Sequence, residues 1–182
     1  EVAQNLNIKV SALSANKNID LLESQARKFM PRLVAVPDAS LAAQLKERLN
    51  GLPIEVYHGV EGLKAAASIE EADTVVSAIV GIAGLIPTLE AIKSGKAIAL
   101  ANKETLVTAG SIVMAEASAR SVRIFPVDSE HSAIYQCLEG NNREDLERII
   151  LTASGGPFRG RTAKELENVT VSEALKHPNW SM

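Results

Sequence analysis

The sequence predicts an α/β protein: a mostly parallel sheet with helices on both faces. Three observations carry this. Seven short apolar, β-branched runs alternate with amphipathic stretches, at intervals of roughly 20–30 residues, the sequence form of repeated strand–helix units. The runs are almost continuously apolar rather than alternating, as expected of strands covered on both faces. Gly51-Leu52-Pro53, Ser94-Gly95-Lys96 and Gly140-Asn141-Asn142 each close a helical stretch with a turn signal.

Taken in order, residues 1–6 read as the tail of a helix. A strand at 8–13 runs into the polar turn Ser14-Ala15-Asn16-Lys17-Asn18, where Asn18 is placed to cap a helix over 19–29. Val, Ile and Leu runs predict strands at 33–36 and 54–57, flanking a helix at 40–49. A helix at 61–67 leads to a strand at 74–80, a helix at 85–94 to a strand at 97–101, and a helix at 104–120 to a strand at 122–127. A helical pattern then covers 133–138, and an apolar run predicts a last strand at 149–153.

At 182 residues the chain has room for one large domain or somewhat more. Hydrophobic residues make up 46% and aromatics only 3%, so the core must be aliphatic. The net charge of −3, with acids and bases interspersed, does not describe a nucleic-acid surface, and no apolar run is long enough to span a membrane. The single cysteine, Cys137, cannot form an internal disulfide and reads as filler on a helical face, which suits a reducing compartment.

Chemistry concentrates where strands end. Asp128 and Glu130 stand two apart at the end of an apolar run, so an extended backbone aims both carboxylates to one side. Two convergent carboxylates repel unless they share a proton or a cation, and a hard divalent ion is the natural occupant. The plainer alternative is a solvated strand end carrying a helix cap. Lys103 sits between the strand at 97–101 and the following helix, where open α/β sheets gather ligands, with Asn102 as a possible helix cap and Glu104 favoured by the helix dipole. Lys17 lies between Asn16 and Asn18, and the turn at 14–18 that follows the strand holds no acid, a setting that suits the extra phosphate of NADP better than the free ribose of NAD. Ser154-Gly155-Gly156 offers a hydroxyl and open backbone N–H groups, a possible anion cradle. No G-x-G-x-x-G turn is present; Gly81 and Gly84 are too few and come too late.

Four blocks lie along the chain in order: Ala99-Leu100-Ala101-Asn102-Lys103-Glu104-Thr105-Leu106, Pro126-Val127-Asp128-Ser129-Glu130-His131-Ser132-Ala133-Ile134, Leu151-Thr152-Ala153-Ser154-Gly155-Gly156-Pro157-Phe158-Arg159 and His177-Pro178-Asn179-Trp180-Ser181-Met182. Together they resemble the 1-deoxy-D-xylulose 5-phosphate reductoisomerase family. The resemblance implies a Rossmann-like NADPH-binding domain over 1–148, lacking its first strand and glycine loop, and the beginning of an α+β catalytic domain over 149–182. It implies an enzyme that uses NADPH and Mn²⁺ or Mg²⁺, with Co²⁺ as a further option, to rearrange and reduce 1-deoxy-D-xylulose 5-phosphate to 2-C-methyl-D-erythritol 4-phosphate in non-mevalonate isoprenoid synthesis.

Residue by residue, Lys103, Asp128 and Glu130 become catalytic, and Asp128 and Glu130 become metal ligands whose third carboxylate partner lies beyond Met182. Lys103, Ser129 and Glu130 contact the substrate, Ser154 and His177 its phosphate, and Trp180 covers it from a lid ending at Met182. Asn16, Lys17, Asn18, Ala78, Ile79, Asn102 and Glu104 face the cofactor. The resemblance further implies a homodimer in the bacterial cytoplasm or plastid stroma that binds phosphonate substrate analogues but neither nucleic acid nor membrane, and an isolated 182-residue chain without turnover. Two other functions fit the same sheet: another NADP-dependent reductase, or a non-catalytic nucleotide-binding fragment.

Overall fold

The computed structural model describes residues 1–151, 156–176 and 178. It divides into two compact units, residues 1–135 and 136–182. The first opens with a short helix, α1 (Val2–Asn5), and then alternates strand and helix: β1 (Ala12–Ser14), α2 (Ile19–Phe29), β2 (Leu33–Val36), α3 (Ala39–Arg48), β3 (Glu55–His58), α4 (Gly59–Ser68), β4 (Thr74–Ser77), α5 (Leu85–Lys93), β5 (Ala97–Leu100), α6 (Lys103–Ala119) and β6 (Ile124–Pro126). The helix α7 (Ser129–Leu138) follows, running across the division between the units.

All strand pairings are parallel, but the strands form two three-stranded sheets, β1-β2-β3 and β4-β5-β6. Every residue of β2 is buried, and alternate residues point to opposite faces, so both faces of that strand are covered. Val34 and Val36 pack with Ile19, Leu22 and Ala26 of α2 and with Ala42 and Leu45 of α3. Helix α4 packs against all three strands of this sheet and against α5 of the second. The second core joins Ile98 and Leu100 of β5 to Ala91 and Ile92 of α5 and to Ala109, Val113 and Ala117 of α6. Alanines on these helices let backbones approach closely, which is how an aliphatic core with few aromatics fills its volume. Ser11 Oγ donates to Glu71 O at 3.3 Å, tying the start of β1 to the loop before β4.

Several strands are shorter than their apolar runs. β1 begins at Ala12 rather than at residue 8, because it can pair only opposite β2, which is bracketed by Pro31 and Pro37. β4 stops at Ser77 rather than at residue 80. Beyond it the carbonyls of Ile79 and Gly81 are taken by the Asn102 side chain, and the chain turns through Gly81–Gly84. Residues 149–151 are not a strand: Ile149, Ile150 and Leu151 are exposed, and no described segment pairs with them. The remaining two residues of that expected strand lie outside the described residues.

The second unit contains two four-residue helices, α8 (Ala163–Leu166) and α9 (Val171–Ala174), each opened by a reciprocal capping box. Thr162 pairs with Glu165 and Thr170 with Glu173, the T-x-x-E signature of a helix start. Arg161 reaches Glu173 at 3.7 Å and lies over the Phe158 ring.

Caps inside the first unit carry a pH consequence. Asp38 opens α3, its carboxylate accepting from the Leu41 N–H at 2.9 Å and the Ser40 hydroxyl at 2.8 Å. These bonds, the backbone one first, hold its carboxyl below the usual aspartate value. A lowered folded-state pKa stabilises the fold above the unfolded value of about 3.9, and that stability is lost as pH falls through the folded value. Asp38→Asn keeps an acceptor for Leu41 but cannot titrate. Urea unfolding at neutral and at acid pH should therefore show a smaller acid-induced loss in the variant than in the parent, and equal losses would remove Asp38 from the acid response.

Candidate active site

Register assembles the site. Ser77 of β4 stands opposite Leu100 of β5, and Leu100 stands opposite Pro126 of β6. The three carboxyl ends therefore finish side by side, and the segments leaving them, 78–84, 101–103 and 127–130, share one edge of the sheet. This is where ligands of open parallel sheets bind.

Lys103, the first residue of α6, places its ammonium 3.9 Å from Asp128 Oδ2 and 3.7 Å from Glu130 Oε2. Both carboxylates thus converge on one point, though not as strand alternation predicts. The strand ends at Pro126 and the chain turns directly into α7, so Asp128 precedes the helix and Glu130 lies in its first turn. The helix start brings them together because Glu130 is carried back over the strand end, and its negative charge is favoured near a helix N-terminus.

The two carboxylates differ in environment. The Asp128 side chain is only 10% exposed; its Oδ1 pairs with His131 Nδ1 at 2.6 Å, while Oδ2 is buried with no hydrogen-bond partner. Glu130 is more open. The Ser129 hydroxyl donating to its Oε2 at 2.9 Å, its own backbone N–H and the Lys103 ammonium hold its carboxyl below the usual glutamate range. A buried carboxylate oxygen without a donor, beside a second ionised carboxylate, is the donor set a hard divalent cation completes. The residues therefore fit such an ion, although among the described residues no three His, Cys, Asp or Glu side chains are placed to hold one together.

On the adjacent strand end, Asn102 is buried and Ile79 is half-buried, with Ala78 and Glu104 exposed. Asn102 caps α6, its Oδ1 accepting from the Thr105 N–H at 3.2 Å, while its Nδ2 donates to the carbonyls of Ile79 and Gly81. Asn16, Lys17 and Asn18 lie at the carboxyl end of β1, in the other sheet. Asn18 caps α2, accepting from the Leu21 N–H at 3.0 Å; Asn16 and Lys17 are exposed. The structure therefore gathers Lys103, Asp128, Ser129 and Glu130 at one place with Asn102 and Ile79 alongside, and sets Asn16–Asn18 apart on their own turn. Ser154, His177 and Trp180 lie outside the described residues.

Two features have no sequence signal, and a third is open in the sequence: His131 reads there as a helix cap or as a support for the carboxylates beside it. In the structure His131, three residues after Asp128, orients that carboxylate. Ser77 and Thr88 share a buried hydroxyl pair at 2.8 Å, and Thr88 also donates to Gly84 O at 2.7 Å. Thr105 buries a hydroxyl with no partner behind Lys103. The last two lie on apolar faces and have no signature along the chain.

Residues 1–110 match the family model for 1-deoxy-D-xylulose 5-phosphate reductoisomerase, and residues 124–182 match that of its C-terminal domain. Reductoisomerases from Ruminiclostridium cellulolyticum and Acetivibrio thermocellus are 62% and 66% identical over all 182 residues. The chain spans about half the length of these relatives, 48% of each. Among solved structures, the Zymomonas mobilis reductoisomerase in complex with NADPH is similar at a TM-score of 0.81 and 42% identity, covering 96% of this chain and 46% of that one. A second, in complex with NADPH, fosmidomycin and magnesium, is similar at 0.79 and 41%, covering 100% of this chain and 47% of that one. A paired-carboxylate edge on parallel strands, both family models in sequence order and high identity from end to end lead to one assignment: the chain belongs to the 1-deoxy-D-xylulose 5-phosphate reductoisomerase family.

Proposed function

We propose that this chain supplies the cofactor-binding half and the first metal-binding carboxylates of an enzyme that converts 1-deoxy-D-xylulose 5-phosphate to 2-C-methyl-D-erythritol 4-phosphate. The observation that carries the reading is the convergence of Lys103, Asp128 and Glu130, with Asp128 Oδ2 buried and without a hydrogen-bond donor. When bound, the divalent ion supplies Lewis acidity and NADPH the reducing equivalents. Asp128 and Glu130 hold the ion. Lys103 and Ser129 orient the substrate's oxygens, and the Lys103 ammonium offsets negative charge that develops there. Ser154 and His177 bind the phosphate, which orients the rearranging carbons, and Trp180 keeps water away.

Asn16, Lys17 and Asn18 take the 2′-phosphate end of NADPH, and Ala78, Ile79, Asn102 and Glu104 its reactive end. The relatives named above are bacterial, which favours a bacterial cytoplasm over a plastid stroma. Among the described residues no helix is long and apolar enough to cross a membrane. A homodimer that also accepts phosphonate substrate analogues completes the proposal.

The test is NADPH oxidation by the full-length protein with 1-deoxy-D-xylulose 5-phosphate, first with Mn²⁺ and then with EDTA. Metal-dependent oxidation that EDTA abolishes is the expected result. A folded, metal-loaded protein that oxidises no NADPH with this substrate would overturn the reading in favour of another reductase or a non-catalytic nucleotide binder.

A further inference from the structure

Gly84 lies at the turn between β4 and α5, with φ −75° and ψ −15°, an ordinary right-handed conformation open to any residue. Its backbone gives no reason for glycine; its surroundings do. A Cβ built there would overlap Asn102 Nδ2 and come within 3.2 Å of Ile79 O. Asn102 is 3% exposed and fully committed. Both of its donors are spent on the carbonyls of Ile79 and Gly81, and its Oδ1 caps α6 through Thr105 N–H. The side chain therefore clamps the turn at 79–81, on the cofactor side, to the helix start that carries Lys103. Gly84 has little freedom to retreat. Its carbonyl accepts from Thr88 Oγ1 at 2.7 Å, and that hydroxyl is paired with Ser77 at 2.8 Å in the buried core. An added methyl must displace Asn102.

We propose that Gly84 is a positioning residue for the reaction: the space left by its missing side chain lets the Asn102 amide hold the cofactor-side turn in register with Lys103. The inference rests on the function proposed above. In the full-length enzyme, Gly84→Ala should lower kcat about 10- to 100-fold and raise KM for NADPH, since displacements near 1 Å cost about that much. The Mn²⁺ requirement should not change, because the Asn102 side chain bonds Ile79, Gly81 and Thr105 and, among the described hydrogen bonds, neither Asp128 nor Glu130. Asn102→Ala should lose a similar amount, and Asn102→Asp should lose as much although it keeps the cap on Thr105, because a carboxylate cannot donate to the two carbonyls.

The decisive variant is the double one. With the amide gone, Gly84→Ala should add little to Asn102→Ala, in kcat and in thermal midpoint alike, all assays being run where circular dichroism shows every variant folded. Effects that multiply, or a Gly84→Ala enzyme with parental kcat and NADPH KM, would overturn the inference while leaving the proposed function standing. A parent enzyme without turnover would overturn the proposed function, and with it the catalytic consequence, while the thermal cycle still reads the contact itself.

Discussion

In the full-length protein, under the function proposed above, Asp128→Asn should lower metal-dependent turnover of 1-deoxy-D-xylulose 5-phosphate by more than about 100-fold, because even groups behind a metal ligand cost 10–100-fold when removed. The expectation comes from the environment of one carboxylate. Its Oδ1 is held by His131 at 2.6 Å, and its Oδ2 is buried without a donor. Such an oxygen is a burden in the free protein and an asset once a cation arrives. The substitution should therefore separate activity from stability. Turnover collapses and the Mn²⁺ concentration for half-maximal rate rises, while urea unfolding of the metal-free protein is not made easier, because the amide of equal size removes the charge from a buried oxygen that has no donor. A variant with parental metal dependence would remove Asp128 from the ion. One that unfolds readily without metal would make its role structural.

In the same full-length protein and under the same proposal, Lys103→Met should lower kcat/KM by roughly 10²–10³-fold, the cost of deleting one preorganised charge at a reacting oxygen. Stability should barely respond, since the Lys103 side chain is 52% exposed and water screens its pairing with both carboxylates. The metal should bind no more weakly, because a cation that shares Asp128 and Glu130 with the ion has been removed. Loss of turnover with undiminished Mn²⁺ binding, read by titration of the folded variant, would place the lysine on substrate. Loss of Mn²⁺ binding would make it a support for the carboxylates instead. Lys103→Arg should not restore the rate, as a planar fork does not replace a compact ammonium at this distance.

Much of the architecture was legible from local pattern. Buried runs such as 33–36 and 97–101 became central strands because a strand covered on both faces has no polar positions to break its run. Asn18 and Asn102 were readable as helix caps, since a short amide before an amphipathic stretch meets the orphan N–H groups of the first turn. The two T-x-x-E boxes at Thr162 and Thr170 were equally readable and were passed over, because four-residue helices have no periodicity to draw attention. The run at 149–151 misled for the opposite reason. Its β-branched residues satisfy a strand's composition, but a strand exists only where a partner offers hydrogen bonds.

The site divides in the same way. That Lys103, Asp128, Ser129 and Glu130 stand at strand-to-helix junctions could be read from the chain, because at each an apolar run ends and a helix begins. Their meeting point could not. It depends on Ser77, Leu100 and Pro126 standing level across three strands, and on α7 starting early enough to fold Glu130 back towards Lys103. The reason for Gly84 was hidden altogether, since its conformation is ordinary and only the Asn102 amide, 18 residues further along the chain, occupies the space a side chain would need. By itself the sequence determined what acts over one or two turns of chain: burial pattern, caps and the ends of elements. Tertiary structure alone decided which ends meet, because register and steric exclusion are set between segments distant in sequence, by hydrogen-bond ladders and packing that no single segment contains.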